Sequence, residues 1–347
     1  MSRVHIIGTG GTIASRTGAP GTAETPGNTE DSRRPGTSGS VASDSVGDLI
    51  GALPAAAGVE SPEVTTEDVM TLGSYRLGLP EILEIAAAAL TRAAEAAVDG
   101  VVVTHGTDTL EETAFLVDLV NGTDTTVVFT GAQLAADQPD SDGPRNLRQA
   151  AAVALDPRFR GMGALIAFDG RVQTARGARK AHTTASQPFH GGTTVGLFRG
   201  EELDLVAQPV RPRALPLPGK TFGSTRVEVI TAYPGSDPGL LQHAAQAGAA
   251  AVVLAGTGVG NAGEGYAEAA ADLVSAGVPV VLSTRVPSGP MVPLYGNGGG
   301  VDLIAAGAVS AGHLNPFQAR ILAAALLAAP SGTPTLTEFT TLFSDQR

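Results

Sequence analysis

The chain has 347 residues, long enough for two domains, and 43% of them are apolar, enough to bury sizeable cores. A net charge of -12 with no run of Lys or Arg excludes the basic footprint of a nucleic-acid or anionic-membrane partner. The absence of Cys excludes disulfides, thiolate metal sites and cysteine nucleophiles, and no stretch is apolar for the roughly 18 residues a bilayer span needs.

In chain order, residues 4–7 form a short apolar strand that starts almost at Met1. No charged n-region and long apolar h-region precede it, which points to the cytoplasm. Residues 15–48 are rich in Ser, Thr, Gly, Pro, Asp and Glu and carry hardly any large apolar residue. A structureless insertion of this kind is either disordered or a lid; its place directly behind a first strand favours a lid, closing through small groups such as Thr37, Ser38, Ser40 or Ser43. Residues 80–97 place Ile82, Leu83, Ile85, Ala86, Ala89 and Leu90 on one helical face. Strands at 101–104, 126–130 and 164–168 then alternate with helices at 110–120 and 146–155, the second opening just after Pro144. Such a rhythm gives right-handed crossovers and a mostly parallel sheet flanked by helices.

Residues 207–221 carry Pro209, Pro212, Pro216 and Pro218 without helical periodicity and read as a linker. Strands at 227–231, 251–254 and 278–282 follow, with helices at 238–247 and 264–276 and a last long helix from Pro316. The expected architecture is therefore two α/β domains, a larger one over 1–206 and a smaller one over 222–347.

Ligands of a parallel sheet collect at the carboxyl ends of its strands. Two such ends carry unusual turns: Gly8-Thr9-Gly10-Gly11-Thr12 and Thr104-His105-Gly106-Thr107-Asp108-Thr109. Glycine lets backbone approach a ligand closely, and threonine presents a hydroxyl. One such turn could be no more than a capped strand-to-helix connection. Two of them, one bearing an acid, favour a site. No GxSxG elbow is present, and His5, His105, His182, His190, His243 and His313 show no metal-ligand spacing. The first turn lacks the Gly-Lys-Ser/Thr ending of a P-loop, and Ile13 stands where GxGxxG needs a third glycine. Gly258-Val259-Gly260-Asn261-Ala262-Gly263 does match GxGxxG between a strand and a helix, so dinucleotide binding is a rival reading. Ser283, Thr284 and Arg285 stand where the acid closing the next strand belongs, which weakens it.

Gly10-Gly11-Thr12-Ile13-Ala14 followed by Thr104-His105-Gly106-Thr107-Asp108-Thr109-Leu110-Glu111-Glu112-Thr113-Ala114 resembles the bacterial L-asparaginase family. The likeness continues through Thr130-Gly131-Ala132, Asp142-Gly143-Pro144, Lys180, Gly258-Val259-Gly260-Asn261, Thr284-Arg285-Val286-Pro287 and Leu314-Asn315-Pro316. It covers the chain outside residues 15–48. The resemblance implies hydrolysis of L-asparagine to L-aspartate and ammonia without metal or cofactor, with a mixed glutaminase-asparaginase or a non-catalytic amino-acid-binding protein as alternatives. It makes Thr12 the attacking hydroxyl that forms an acyl-enzyme, and Thr107, Asp108 and Lys180 the second hydroxyl, acid and lysine. An alcohol needs such help, being a poor nucleophile at neutral pH. Taken alone, Lys180 would read as a surface charge. By the same resemblance Gly11, Ser74 and Tyr75 meet the substrate, Ser74 at its α-carboxylate, and Asp108 binds the α-amino group. Backbone N–H groups near Thr107 and Ala132 hold the oxyanion. Asn261 completes the site of a neighbouring subunit, which implies a homo-oligomer, a dimer of dimers. The chain departs from the pattern in three places: Tyr75 stands where many members have Gln, residues 15–48 contain no Tyr, and residues 288–295 contain no Glu.

Overall fold

The alternation of β-branched runs and Ala/Leu-rich stretches produces two large sheets. The computed structural model describes residues 2–17, 40–42, 45, 47 and 62–347. Chain order gives β1 (Arg3–Gly10), β2 (Ser15–Thr17), β3 (Ser40–Ala42), β4 (Glu63–Leu72), α1 (Leu79–Ala93), β5 (Gly100–Thr104), α2 (Leu110–Val120), β6 (Thr126–Thr130), α3 (Gly143–Leu155) and β7 (Ala164–Phe168). There follow β8 (Arg171–Thr174), β9 (Arg179–Lys180), β10 (Phe189–His190), β11 (Thr194–Arg199) and β12 (Glu202–Leu205). The first sheet has the order β12-β11-β8-β7-β6-β5-β1-β4. From β4 to β7 all neighbours run parallel, and β8, β11 and β12 add an antiparallel edge. Successive side chains of these strands face opposite layers. Ile7, Val101, Val103, Val127 and Phe129 pack with α1 and α2, while Val4, Ile6, Val102 and Val128 pack with α3.

The second sheet is parallel, in the order β13 (Val227–Thr231), β14 (Ala251–Gly256), β15 (Val280–Thr284), β16 (Val309–Ser310). One face is covered by α4 (Gly239–Gln246), α5 (Tyr266–Ser275) and α6 (Gly300–Ala305), packed around Leu241, Val252, Leu254, Tyr266 and Leu282. The other face meets α7 (Pro316–Leu327), which packs against α2 of the first unit as well. α7 is capped by Asn315, whose Oδ1 accepts from the N–H groups of Phe317 and Gln318 at 3.0 and 2.9 Å. Nine of its residues are buried, among them Ile321, Leu322 and Leu326, so it is apolar nearly all round. One continuous core thus runs from α1 and α2 through α7 to Val253 and Val281.

The two α/β units and the mostly parallel first sheet agree with expectation, and several elements differ. The helix expected over residues 80–97 ends at Ala93, because Val98 turns into the core and the Asp99 N–H donates to the Arg3 carbonyl at the entrance to β5. A helix opens at Pro316 as expected, but it is not the last. α8 (Leu336–Gln346) follows, started by a capping box in which Thr335 and Glu338 bond each other's backbone. Residues 15–48 are not structureless throughout: β2 and β3 pair antiparallel at the two ends of the segment. Thr37, Ser38 and Ser43, and with them the lid, lie outside the described residues. Residues 207–219 contain no helix or strand, yet the Leu215 N–H bonds to the Leu119 carbonyl at 2.8 Å, and Leu215 and Leu217 pack against the core.

Candidate active site

Four parallel neighbours, β6-β5-β1-β4, bring their carboxyl ends to one edge of the sheet. The chain adds β4 on one side of β1 and then β5 and β6 on the other, so β1 is a topological switch point where a crevice forms. The connections that leave this edge begin with Gly11-Thr12 after β1, Gly73-Ser74 after β4, His105-Gly106-Thr107-Asp108 after β5 and Gly131-Ala132-Gln133 after β6.

Glycine is what lets these connections touch. Gly11 has φ +82°, and a β-carbon there would stand 2.4 Å from both Cα and N of Gly106. A β-carbon on Gly106 would in turn lie 2.5 Å from the Ser74 Oγ, and one on Gly131 would lie 2.4 Å from the His105 carbonyl oxygen. Each of the two touching glycines, Gly11 and Gly106, is followed directly by one of the threonines. Thr12 is half-buried and opens a single 3-10 turn, Thr12–Ala14, whose Ile13 and Ala14 are buried. The turn is fixed by the Gly11 N–H on the Leu72 carbonyl at 3.2 Å and the Ser15 hydroxyl on the Gly11 carbonyl at 2.7 Å. Thr9, one turn earlier, uses its hydroxyl on the Thr104 carbonyl at 2.8 Å, tying β1 to β5.

Lys180 enters from β9. Its Nζ donates to the Thr107 Oγ1 at 2.8 Å and to the Asp108 Oδ1 at 2.7 Å. The lysine side chain is 18% exposed and the aspartate 54%, so the pair adds no more than about 1 kcal/mol to stability. Its value lies in placing an ammonium against a hydroxyl. The Thr107 hydroxyl donates onward to the Gln133 Oε1 at 3.3 Å, and the Gln133 Nε2 donates to the Ala185 carbonyl at 2.8 Å. Ser74 is buried beside them: its Oγ accepts from the Asp108 N–H at 3.2 Å, and its carbonyl accepts from the Thr109 hydroxyl at 2.9 Å.

The connection after β6 is rigid for a separate reason. Buried Asp142 accepts from the N–H groups of Gln133 and Leu134 at 3.0 Å, and the Asn146 Nδ2 donates to the Gly131 carbonyl at 3.0 Å. Buried Ala132 is thereby held between two anchored residues. His105 is wholly buried, with its Nδ1 2.7 Å from the Gly106 carbonyl oxygen, and burial pushes its pKa down to about 4. The ring is thus neutral over most of the pH range and stiffens the turn before Thr107.

Gln133 and Asp142 matter to this geometry, and no local pattern marks Gln133 in the sequence. Asp142 belongs to the Asp-Gly-Pro stretch that supported the resemblance. Two expected site residues stand apart from the cluster. Tyr75 follows Ser74, but its ring is 75% exposed. Asn261 lies in the turn after β14, in the second sheet, where its Oδ1 accepts from the Gly300 N–H at 3.1 Å. It lines a cavity of about 440 Å³ together with Tyr233, Glu264, Tyr266 and Tyr295. The glycines of the GxGxxG match serve that turn itself: Thr257 and Asn261 bridge, and Gly258 and Gly260 have φ of +52° and +111°.

Comparison with known proteins shows the family and the fold. Residues 3–211 match the family described as "Asparaginase, N-terminal", and residues 226–343 match "Glutaminase/Asparaginase C-terminal domain". The chain is 35% identical to the "Probable L-asparaginase" of Deinococcus radiodurans over 94% of its own length and 93% of the relative's. It is 32% identical to the "Probable L-asparaginase periplasmic" of Haemophilus influenzae, over 80% of this chain and 79% of the relative. The crystal structure of a probable cytoplasmic L-asparaginase from Campylobacter jejuni superposes with a TM-score of 0.82 at 26% identity, covering 99% of this chain and 100% of that one.

Proposed function

We infer the reaction from one premise: this chain belongs to the asparaginase family. It is an L-asparaginase, an amidohydrolase that converts L-asparagine and water to L-aspartate and ammonia. The observation that carries the catalytic assignment is the 2.8 Å contact between the Lys180 Nζ and the Thr107 Oγ1, one residue beyond the Gly11–Gly106 contact that leads to Thr12.

In our reading the Thr12 hydroxyl attacks the carbon of the side-chain amide. Its proton leaves through Thr107 to Lys180 in its neutral form, a relay that supplies the base an alcohol lacks. Charge develops on the amide oxygen, and the backbone N–H groups near Ala132 and Thr107, stiffened by Asp142 and His105, stabilise it. Collapse expels ammonia, which takes up the relayed proton, and leaves an aspartyl ester on Thr12. Water activated by the same pair then cleaves the ester. Ser74 receives the α-carboxylate and Asp108 the α-amino group, with Gly11 against the substrate. No tyrosine lies between residues 15 and 48, and all four of the protein's tyrosines (Tyr75, Tyr233, Tyr266 and Tyr295) are elsewhere. That favours Lys180 and Thr107 as the activating pair in both half-reactions.

Asn261 enters this scheme from a second copy of the chain, so the working unit is a homo-oligomer, a dimer of dimers. The division of the chain at residues 207–221 and a cytoplasmic location belong to the same reading, the latter supported by the likeness to the Campylobacter jejuni protein. Ammonia release from L-asparagine, L-glutamine and buffer alone tests the function. Release from asparagine well above glutamine is expected, equal release makes the enzyme a mixed glutaminase-asparaginase, and none from either defeats the reading.

A further inference from the structure

The scheme above uses Lys180 and leaves a buried carboxyl beside it without a task. Glu111 is 4% exposed, lies in the first turn of α2 shortly after Thr107, and accepts a hydrogen bond from the backbone N–H of Lys180. Lys180 is therefore bound twice to one short stretch of chain, by its main chain to Glu111 and by its Nζ to Thr107 and Asp108. β9 is only two residues long and pairs with β10 through Lys180↔Phe189 and Arg179↔His190, so its own ladder is a weak support. The residues before it are held from α7. The Gln318 Nε2 donates to the carbonyls of Ala175 at 2.7 Å and Ala178 at 3.1 Å, its Oε1 accepts from the Gly177 N–H at 2.8 Å, and the Asn315 Nδ2 donates to the Ala178 carbonyl at 3.0 Å. Glu111 is the anchor on the side of the reacting groups.

We propose that Glu111 is a positioning residue for Lys180: it fixes the lysine's main chain to the helix behind Thr107, and its charge governs how readily Lys180 releases a proton. The proposal rests on the reading of Lys180 as proton acceptor. The charged groups that face Glu111 are Glu112 on the same helix, itself 3.4 Å from Arg320 of α7, and Arg179 and Lys180 of β9. Burial pushes the Glu111 carboxyl up to about 7, against the opposing pull of the Lys180 N–H, Arg179 and Lys180. The group thus changes charge near neutrality. Ionised, it favours an ammonium beside it; protonated, it does not.

The test is kcat and KM for ammonia release from asparagine across pH, with thermal melting, for the full chain and four variants. Glu111→Gln keeps the volume and an acceptor for the Lys180 N–H but removes the charge. Its kcat at the optimum should stay within about threefold of the parent, and the acid limb should move down by about half a pH unit or more. Glu111→Ala loses the anchor and should lose about tenfold or more in kcat with KM little changed. Glu111→Asp keeps the charge but retracts it by one methylene, so kcat should fall while the limb stays. An unmoved acid limb in Glu111→Gln, or an unimpaired kcat in Glu111→Asp, overturns the proposal, and the Asp variant decides even if the neutral ones do not fold. Lys180→Met separates the two layers of argument. If it is inactive while Glu111→Gln follows the parent profile, only the role of Glu111 fails. If it is active, the reading of Lys180 itself fails.

Discussion

Gly106 and Ser74 are in contact so close that a methyl group on Gly106 would stand 2.5 Å from the Ser74 Oγ and 2.8 Å from its Cβ. Ser74 in turn accepts the Asp108 N–H, so pressure at Gly106 is transmitted to the acid. Gly106→Ala should therefore destabilise the protein by about 2 kcal/mol and raise KM. Ser74→Gly, which empties the space, should raise KM about tenfold or more. In the double variant the steric part of the loss should disappear, leaving a coupling of about 1 kcal/mol or more in the stability cycle. Additive losses would mean that the two residues do not press on each other.

Thr12→Val removes the hydroxyl without changing shape, and Lys180→Met removes the ammonium while keeping most of the length. Each should lower turnover by about a thousandfold or more, because loss of the nucleophile or its relay closes the covalent path. Neither side chain is part of the apolar core, so melting temperatures should stay within a few degrees of the parent. Near-normal ammonia release by a folded Thr12→Val protein would defeat the mechanism.

Stability should depend on pH through two buried groups with opposite slopes. His105 has its folded pKa depressed to about 4 from 6.5. Below about 6.5 the unfolded chain takes up a proton that the folded one refuses, so stability falls as pH drops from about 6.5 to about 4, by up to about 3 kcal/mol. Glu111 has its folded pKa raised from 4.5 to about 7. Its neutral form favours the folded state below about 4.5, and that contribution is lost as pH rises towards about 7. Between about 4.5 and 6.5 the two slopes oppose each other in the parent, so the urea midpoint should fall more steeply with rising pH in His105→Gln and rise with pH in Glu111→Gln. Parent-like slopes in both variants would refute the assignment.

If Asn261 serves a neighbouring copy, sites built from two defective chains can still be whole. Thr12→Val and Asn261→Ala should each be impaired as pure oligomers. Co-assembled, they should recover activity above either parent, because one mixed site contains both an intact Thr12 and an intact Asn261. Light scattering should find an assembly larger than one chain. A fully active monomer, or mixtures no better than the average of the pure variants, would make Asn261 a residue of its own chain's turn only.

What could be read in the sequence was local. Thr12, Thr107 and Asp108 sit in short runs whose glycines and hydroxyls are visible without a fold, and the strands before them have clear apolar runs. Lys180 is different, since a lysine in a two-residue strand carries no pattern, and only the family resemblance picked it out. Gln133, Glu111 and Gln318 were invisible as supports because their partners lie 26, 69 and more than 130 residues away. No spacing rule reaches across that distance. The antiparallel edge β8, β11 and β12 is short and half-polar, so it lacks the buried run that marked the parallel strands. The box of Thr335 and Glu338 that starts α8 is local as well, yet the expectation of a last long helix from Pro316 passed over it.

One helix decides how the two sheets behave as a body. Because α7 is sealed between β13–β15 and α2, the Pro-rich stretch of residues 207–219 joins two portions that already share an interior. Heating should give a single calorimetric peak, since neither portion keeps a closed surface once α7 is pulled away. The same geometry constrains recombination between relatives. A chimera spliced within residues 207–219 would set one parent's α7 against the other parent's α2, and the graft would have to carry both helices to survive.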